Sequence, residues 1–276
     1  MTRSTGFSFI APLLVLMVVA FNAPIVYMLG LAFWDKGRGF TLEHYEGLAE
    51  APVYLRVLGN TMRIALIATI ANILIGYPLA HWMRGLGRRG RMIAIGLVVL
   101  PFWVSILVRT YAWIVVLGNG GIVNRALQWS GLTDAPVSFL YNELGVTIGM
   151  ANVLLPFLVL PLFAAMIRID DRLLQAAASL GAPPRTIFWK VYFPLTLPAL
   201  AAGALLVFIL CLGFYVTPAV LGGGKVILVS NQIASDIELF FNWGPASALG
   251  VVLLVLTLGF LALASKFAKI DKAMGA

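Results

Sequence analysis

The sequence predicts an all-α integral membrane protein with six transmembrane helices, and three observations carry that reading. Of 276 residues, 61% are hydrophobic and only 11% are charged, with a mean hydropathy of +0.98. A soluble domain usually carries about a quarter charged residues, so this chain has too little polar surface to cover a water-soluble globule. The apolar residues gather in six runs, at about 8–33, 61–83, 92–117, 144–167, 198–221 and 245–265, each near the roughly 20 residues that cross a hydrocarbon core as a helix. The Lys and Arg residues stand in short clusters between those runs. The net charge of +8 therefore reads as an orientation signal, and not as the solvated basic face that a nucleic-acid-binding module needs.

The first run is longer than the roughly 7–15-residue apolar segment of a cleaved signal peptide, and no Ala-x-Ala site follows it. With Arg3 ahead of it, the run is expected to remain as an anchor. The second ends in a tight basic hairpin holding Arg84, Arg88, Arg89 and Arg91, and the third carries Arg109 within it. Leu100-Pro101 in the third run, and Leu155-Pro156 and Leu160-Pro161 in the fourth, predict kinks, because proline removes a backbone donor and frees a carbonyl. The fifth run contains the single cysteine, Cys211, a small apolar side chain that offers neither a disulfide framework nor a Cys-based metal site. All six runs are uniformly apolar, which excludes the alternating pattern of an outer-membrane barrel.

Placing the N-terminus in the cytoplasm puts Arg3, the hairpin arginines, Arg168, Arg172, Arg185, Lys190, Lys266, Lys269 and Lys272 inside. Only Lys36, Arg38, Arg56, Arg125 and Lys225 then lie outside, together with eight of the eleven acids. The positive-inside rule accordingly puts both termini in the cytoplasm. The outer connections carry aromatic anchors such as Trp34, Trp129, Tyr141 and Trp243.

Catalytic chemistry is absent from the pattern. His44 and His81 stand apart from any G-x-S-x-G elbow or H-E-x-x-H zinc motif. Gly222-Gly223-Gly224-Lys225 lacks the first glycine of a phosphate loop and continues with Val226 where Ser or Thr is needed; it reads as a flexible outer connection. No metal site and no cofactor are expected. Ion-coupled carriers place Asp, Glu or His near the bilayer midplane, and none of the six runs holds a carboxylate there. Arg109 costs roughly 2.5–3.5 kcal/mol at a helix centre on insertion scales. Two roles stay open for it, a pathway residue or a structural charge paired with a neighbouring helix.

Residues 168–197 form the one long cytoplasmic connection. Asp170 or Asp171 suits the N-cap of a short helix, Leu173, Leu174, Ala177 and Leu180 share one face, and Gly181 suits a left-handed stop. Pro183 or Pro184 then suits the first turn of a second helix. The product is a helix–turn–helix elbow with small residues at its tip.

This segment resembles the EAA motif of ABC importer permeases. It stands as Gln175-Ala176-Ala177-x-x-x-Gly181, followed at the family spacing by Val191-x-Phe193-Pro194, with Gln175 in place of the usual Glu. Pro101-Phe102-Trp103, Arg109-Thr110-Tyr111-Ala112-Trp113, Leu155-Pro156-Phe157, Ile169-Asp170-Asp171 and Thr217-Pro218-Ala219-Val220-Leu221-Gly222-Gly223 are similar to the spermidine/putrescine-type subgroup.

The resemblance implies a single transmembrane permease domain over residues 1–276, with the type I importer fold, in the bacterial inner membrane. It also implies a heterodimer with a second permease subunit, two ATPase subunits beneath and a periplasmic solute-binding protein above. In that arrangement Gln175, Ala176, Ala177, Gly181 and Pro194 couple the pathway to the ATPase. A polycation needs carboxylates or aromatic faces, and Arg109, Tyr111, Trp113, Tyr215, Asp236 and Glu238 are the pathway candidates, with Asp134 and Glu143 as further outer acids. The same type of importer carrying another small solute, such as an opine, an amino-acid derivative or a phosphonate, stays open. So does a stand-alone secondary transporter, which the missing membrane carboxylates disfavour.

Overall fold

The computed structural model describes residues 3–35, 37 and 39–274, the side chains of 3–9 and 264–274 excepted. Lys36 and Arg38, with the side chains of Arg3, Lys266, Lys269 and Lys272 used in the sidedness count, lie outside the described residues.

The first apolar run forms α1 (Arg3–Met17), a π turn (Val18–Asn22) and α2 (Ala23–Gly30). Pro24 has no N–H to give the carbonyl four residues earlier, and the amide of Ala23 just before it reaches back five residues to Val18. Proline has opened the helix by one residue. Val19, Phe21 and Val26 are each more than half exposed; a helix apolar on all sides and bare on all sides needs lipid or a partner around it. A two-residue ladder, β1 (Trp34–Asp35) against β2 (Gly39–Phe40), follows antiparallel. Then comes α3 (Glu43–Glu50), whose acidic first turn suits the helix dipole.

The second run is one long helix, α4 (Pro52–Gly85), which starts nine residues before the apolar run does. Thr69 and Asn72 donate to the carbonyls of Ala65 and Ala68 one turn back, which satisfies the Thr69 hydroxyl and the Asn72 amide nitrogen inside an apolar helix. The third run is not a single helix. It divides into α5 (Arg88–Val99), a 3-10 turn (Leu100–Trp103) and α6 (Ile106–Leu117), with α7 (Ile122–Trp129) beyond. The break lies where Pro101 predicts it, and Ser105 restarts the chain as the N-cap of α6.

The fourth run, α8 (Glu143–Met166), behaves differently. Its N-cap Asn142 accepts from Gly145 N at 3.0 Å, and the helix continues unbroken through Pro156 and Pro161. The two sites also differ in packing. Leu100 and Trp103 are 58% and 87% exposed, whereas Leu154, Leu158, Leu162 and Met166 of α8 are fully enclosed. Leu158 is held between two glycines: a Cβ at Gly76 or at Gly203 would come within 2.9 Å of its methyl groups. In an apolar solvent such close approach, and not transfer from water, is what binds helix to helix.

After α8 come α9 (Asp171–Ser179) and α10 (Pro184–Ile187), then a second π turn (Phe188–Tyr192) and α11 (Phe193–Leu212). The chain ends with α12 (Val216–Leu221), α13 (Val229–Glu238) and α14 (Trp243–Met274). The glycine run at 222–224 is a packed turn and not a loose link. Tyr141 N donates to Leu221 O at 2.9 Å, and the Tyr141 ring covers Gly223 so closely that a side chain there would collide with it.

Among the described residues six helical stretches are long and apolar enough to cross a bilayer: Ile10–Gly30, Pro52–Gly85, Ile106–Trp129, Glu143–Met166, Pro184–Leu212 and Trp243–Leu263. The chain clusters into two compact units. One joins the residues up to Leu58 with Val229–Leu256, and the other joins Gly59–Leu228 with the residues from Thr257 on. The 168–197 elbow and all its contacts described below belong to the second.

Candidate coupling site

The elbow begins at Asp170, whose Oδ1 accepts from Arg172 N at 2.9 Å, capping an otherwise orphaned donor of α9. At the other end, Ala182 N donates to Ala177 O at 3.2 Å and Gly181 N to Ala178 O at 2.9 Å. That pair of bonds is the Schellman arrangement, and Gly181 takes its left-handed position with φ +79°. Pro184 then opens α10, with Thr186 N donating to Pro183 O at 2.9 Å. The sequence assignments for Asp170, Gly181 and Pro184 are thus realised atom by atom.

No residue of α9 is buried. Leu173 is 50% exposed and Leu180 89%, while Gln175, Ala176 and Gly181 are exposed and Ala177 half-buried. An apolar stripe flanked by small side chains stands open at the tip. Pro194 is set apart from this group on α11. Its part is local: like Pro24 it follows a π turn, with Phe193 N reaching back five residues to Phe188 O. The motif therefore divides between an exposed apolar stripe on α9 and a helix start where proline follows a π turn.

The base of the elbow is held by α4. Arg84 Nε donates to Met166 O, the end of α8, at 3.0 Å. Its guanidinium pairs with Asp171 at the start of α9, and lies 5.0 Å over the Tyr192 ring. Arg91 donates to the carbonyls of Arg84 and Leu86 at 3.1 and 3.3 Å, closing the hairpin between α4 and α5. One turn up α4, the His81 ring stands 5.0 Å from Tyr192 and 5.6 Å from Phe188. Tyr77 meets Phe193 edge-on at 5.6 Å and shares a 3.1 Å hydrogen bond with Thr196. Tyr77, His81 and Arg84 thus fasten span two to span five.

Towards the other ends of the helices, Arg109 lies in the first turn of α6, where its guanidinium donates to Val104 O at 3.4 Å. The break at Pro101 has placed it at a helix start and not in mid-span. Trp113 Nε1 donates to Asn152 Oδ1 at 3.2 Å, joining α6 to α8, while Tyr111 is 58% exposed. Tyr215 precedes α12 as its N-cap residue. Glu143 pairs with Arg63, so that acid already has a cationic partner, and Asp134 is exposed.

Asp236 and Glu238 both lie on α13, in the other compact unit. Glu238 is exposed, but Asp236 is buried. Its carboxylate accepts from Gln232 Nε2 at 2.8 Å and from the Tyr54 hydroxyl at 3.4 Å. Burial raises the pKa of Asp236 and outweighs the lowering effect of these two hydrogen bonds. Asp236 is thus a sheltered carboxylate on a helix. Among the described residues no group of three or more His, Cys, Asp or Glu side chains is placed to hold a metal ion.

Residues 72–269 match the family of binding-protein-dependent transport system inner membrane components. The chain belongs to that family. The permease is 42% identical over 216 residues to the spermidine/putrescine transport system permease protein PotB of Haemophilus influenzae, covering 78% of this chain and 75% of the relative. To the PotB of Escherichia coli it is 34% identical over 224 residues, 81% of each chain. A putative 2-aminoethylphosphonate transport system permease protein, PhnU of Salmonella paratyphi A, is 30% identical over 254 residues, 91% of this chain and 87% of that one. The fold is that of a permease chain in the crystal structure of a bacterial alginate ABC transporter, with a TM-score of 0.80 at 20% identity over 96% of this chain and 94% of the other. This is an ABC-importer permease, a multi-pass protein of the bacterial inner membrane.

Sequence reasoning found the permease's elbow but not the group that holds it. Arg84 entered only as one of the basic residues that set sidedness, and His81 only as a histidine without a catalytic partner. A signal was present: Tyr77, His81 and Arg84 recur at the four- and three-residue intervals of one helix face. Nothing in the sequence says which helix that face meets.

Proposed function

We propose that this permease forms the polyamine pathway of its importer, with residues 168–197 as the segment through which a separate ATPase drives it. The observation that carries the solute assignment is the 42% identity to a spermidine/putrescine permease over 78% of the chain. Both termini lie in the cytoplasm, which follows from the distribution of Lys and Arg. A second permease subunit completes the pathway as a heterodimer, two ATPase subunits dock on the elbows, and a periplasmic binding protein delivers the solute. ATP is hydrolysed by the partner subunits and not by this chain.

The open apolar stripe of α9, with Gln175, Ala176, Ala177 and Gly181 around it, is the surface that meets the ATPase. Small side chains let a partner's groove approach closely, and Pro194 sets the rotational register in which the elbow joins α11. ATP-driven closure of the ATPase pair moves the elbow, and the elbow changes the packing of the spans joined to it. A ligand shifts such an equilibrium only by binding its two states unequally; the docked elbow supplies that inequality.

On the solute side, Asp236 is the carboxylate best suited to a passing polyammonium, because a sheltered acid gains most from a nearby cation. Within the other unit, Tyr111, Trp113 and Tyr215 are the aromatic candidates for contact with a cation. Glu238 adds charge at the exposed end of α13.

The experiment is uptake by the complete importer reconstituted in proteoliposomes. Labelled spermidine and putrescine should accumulate with ATP inside, and 2-aminoethylphosphonate and an opine should not. Accumulation of the phosphonate or opine alone would replace the polyamine assignment. Gly181→Asp should insert normally yet lower ATPase association and uptake, and normal uptake by that variant would remove the elbow from the mechanism.

A further inference from the structure

We infer that Arg84 is a positioning residue for transport, joining the elbow to span two so that a displacement of α9 moves α4 together with the helices the elbow connects by chain. The inference rests on the coupling role proposed above for residues 168–197. Covalently, α9 is tied only to α8 before it and to α10 after it. The end of α4 lies more than eighty residues earlier, and reaches the elbow through side chains. Arg84 supplies three directed contacts from one planar group: to Met166 O at 3.0 Å, to the Asp171 carboxylate, and to the face of Tyr192 at 5.0 Å. The three partners belong to the end of span four, the start of the elbow helix and the start of span five.

Burial divides these contacts into two kinds. The Arg84 side chain is 18% exposed and Tyr192 2%, so the contacts to Met166 and Tyr192 are sheltered from water and hold span two against spans four and five. The Asp171 side chain is 72% exposed, and an ion pair open to water is weak enough to form and break. The guanidinium therefore has a fixed side and a releasable side. When α9 shifts, the Asp171 pair either follows and draws on α4 or parts while the rest holds. Such a discrete choice is what passes a displacement through packed helices. The backbone of Arg84 is itself held, because its carbonyl accepts from Arg91 at 3.1 Å. A lysine keeps the charge but has neither the fork nor the planar face that meet three partners at once.

The test is the ratio of solute taken up to ATP hydrolysed by the complete importer in proteoliposomes, for native, Arg84→Lys, Asp171→Asn and Gly181→Asp forms. A structural defect reduces the number of working complexes and lowers uptake and hydrolysis together, leaving the ratio where it was. Loss of the joint lets hydrolysis proceed without full transport. Arg84→Lys is expected to lower the ratio about tenfold, within the 5–150-fold range of allosteric couplings, and Asp171→Asn is expected to lower it about threefold. A ratio equal to native in both variants overturns the inference. If Arg84→Lys fails to assemble, Asp171→Asn, altered at an exposed carboxylate, decides alone. Normal uptake by Gly181→Asp would fell the elbow's coupling role itself, whereas a failed Gly181→Asp beside unchanged ratios in the other two would fell only the role of Arg84.

Discussion

Gly181→Ala isolates the energetic contribution of one backbone angle to coupling. Gly181 has φ +79°, and a Cβ added there would meet nothing within 4 Å. The substitution therefore adds no clash with a neighbouring element, and the whole penalty is the intrinsic cost of placing an L-residue in the left-handed region. That cost is about 1–2 kcal/mol, or a factor of roughly 5–30 in the population of the native turn. The two bonds of the Schellman arrangement, from Gly181 and Ala182 to Ala178 and Ala177, exist only in that turn. An elbow that leaves it presents α9 at a different angle to α10. The assay is binding of the purified ATPase subunit to the permease heterodimer in nanodiscs, followed by biolayer interferometry. Gly181→Ala should weaken binding by up to that factor, the ceiling being reached when the variant turn relaxes before docking. Asn tolerates the left-handed conformation better than Ala, so Gly181→Asn should fall between the two. Native affinity for Gly181→Ala, or weaker binding for Asn than for Ala, would refute the reasoning.

Three other perturbations have defined outcomes. The raised pKa of Asp236 means that its neutral form is favoured in the fold, so the cost of ionising it grows as pH rises past the ordinary carboxylate range of about 3.9. Asp236→Asn should accordingly be at least as heat-stable as native at neutral pH while losing polyamine uptake. Native uptake should decline on acidification earlier than an ordinary carboxylate would dictate, a decline absent from the variant; a less stable variant with native uptake would count against the pathway role. Gly203→Val forces methyl groups onto Leu158, whose Cδ1 lies 2.9 Å from where a Cβ would stand. Overpacking of this kind costs about 1–3 kcal/mol, seen as a lower unfolding temperature in detergent that Leu158→Ala should partly restore; two additive losses would show that the two positions do not meet. Pro194→Ala supplies the missing N–H and lets the π turn close to an α turn, rotating the elbow against α11 by about 100°. Membrane insertion should persist while uptake fails, and native uptake would show that the register Pro194 sets is immaterial.

Much of the elbow was legible in the chain because its signals are local. An N-cap needs only Asp170 and the amides just after it, and a left-handed stop needs only Gly181 and the turn before it. The membrane class was legible for a similar reason, since a bilayer reads composition over about 20 residues. Proline was legible only in part. Pro101 breaks its helix and Pro156 and Pro161 do not, although each removes the same donor. The two sites differ in packing, Leu158 being enclosed between Gly76 and Gly203 and Trp103 being exposed, and packing is decided by helices distant in the chain.

The sequence by itself determined the membrane architecture, the six apolar runs and the caps that shape the 168–197 elbow, because each depends on neighbours a few residues away. Only the tertiary structure decided that Asp236 is sheltered by Tyr54 and Gln232, that Glu143 is paired with Arg63, and that Arg84 joins three other elements at the base of the elbow. Those facts depend on side chains that meet across as many as 182 positions of chain. Charge and hydropathy mark such residues as costly to bury, but the partner that meets the cost is chosen by how the helices pack.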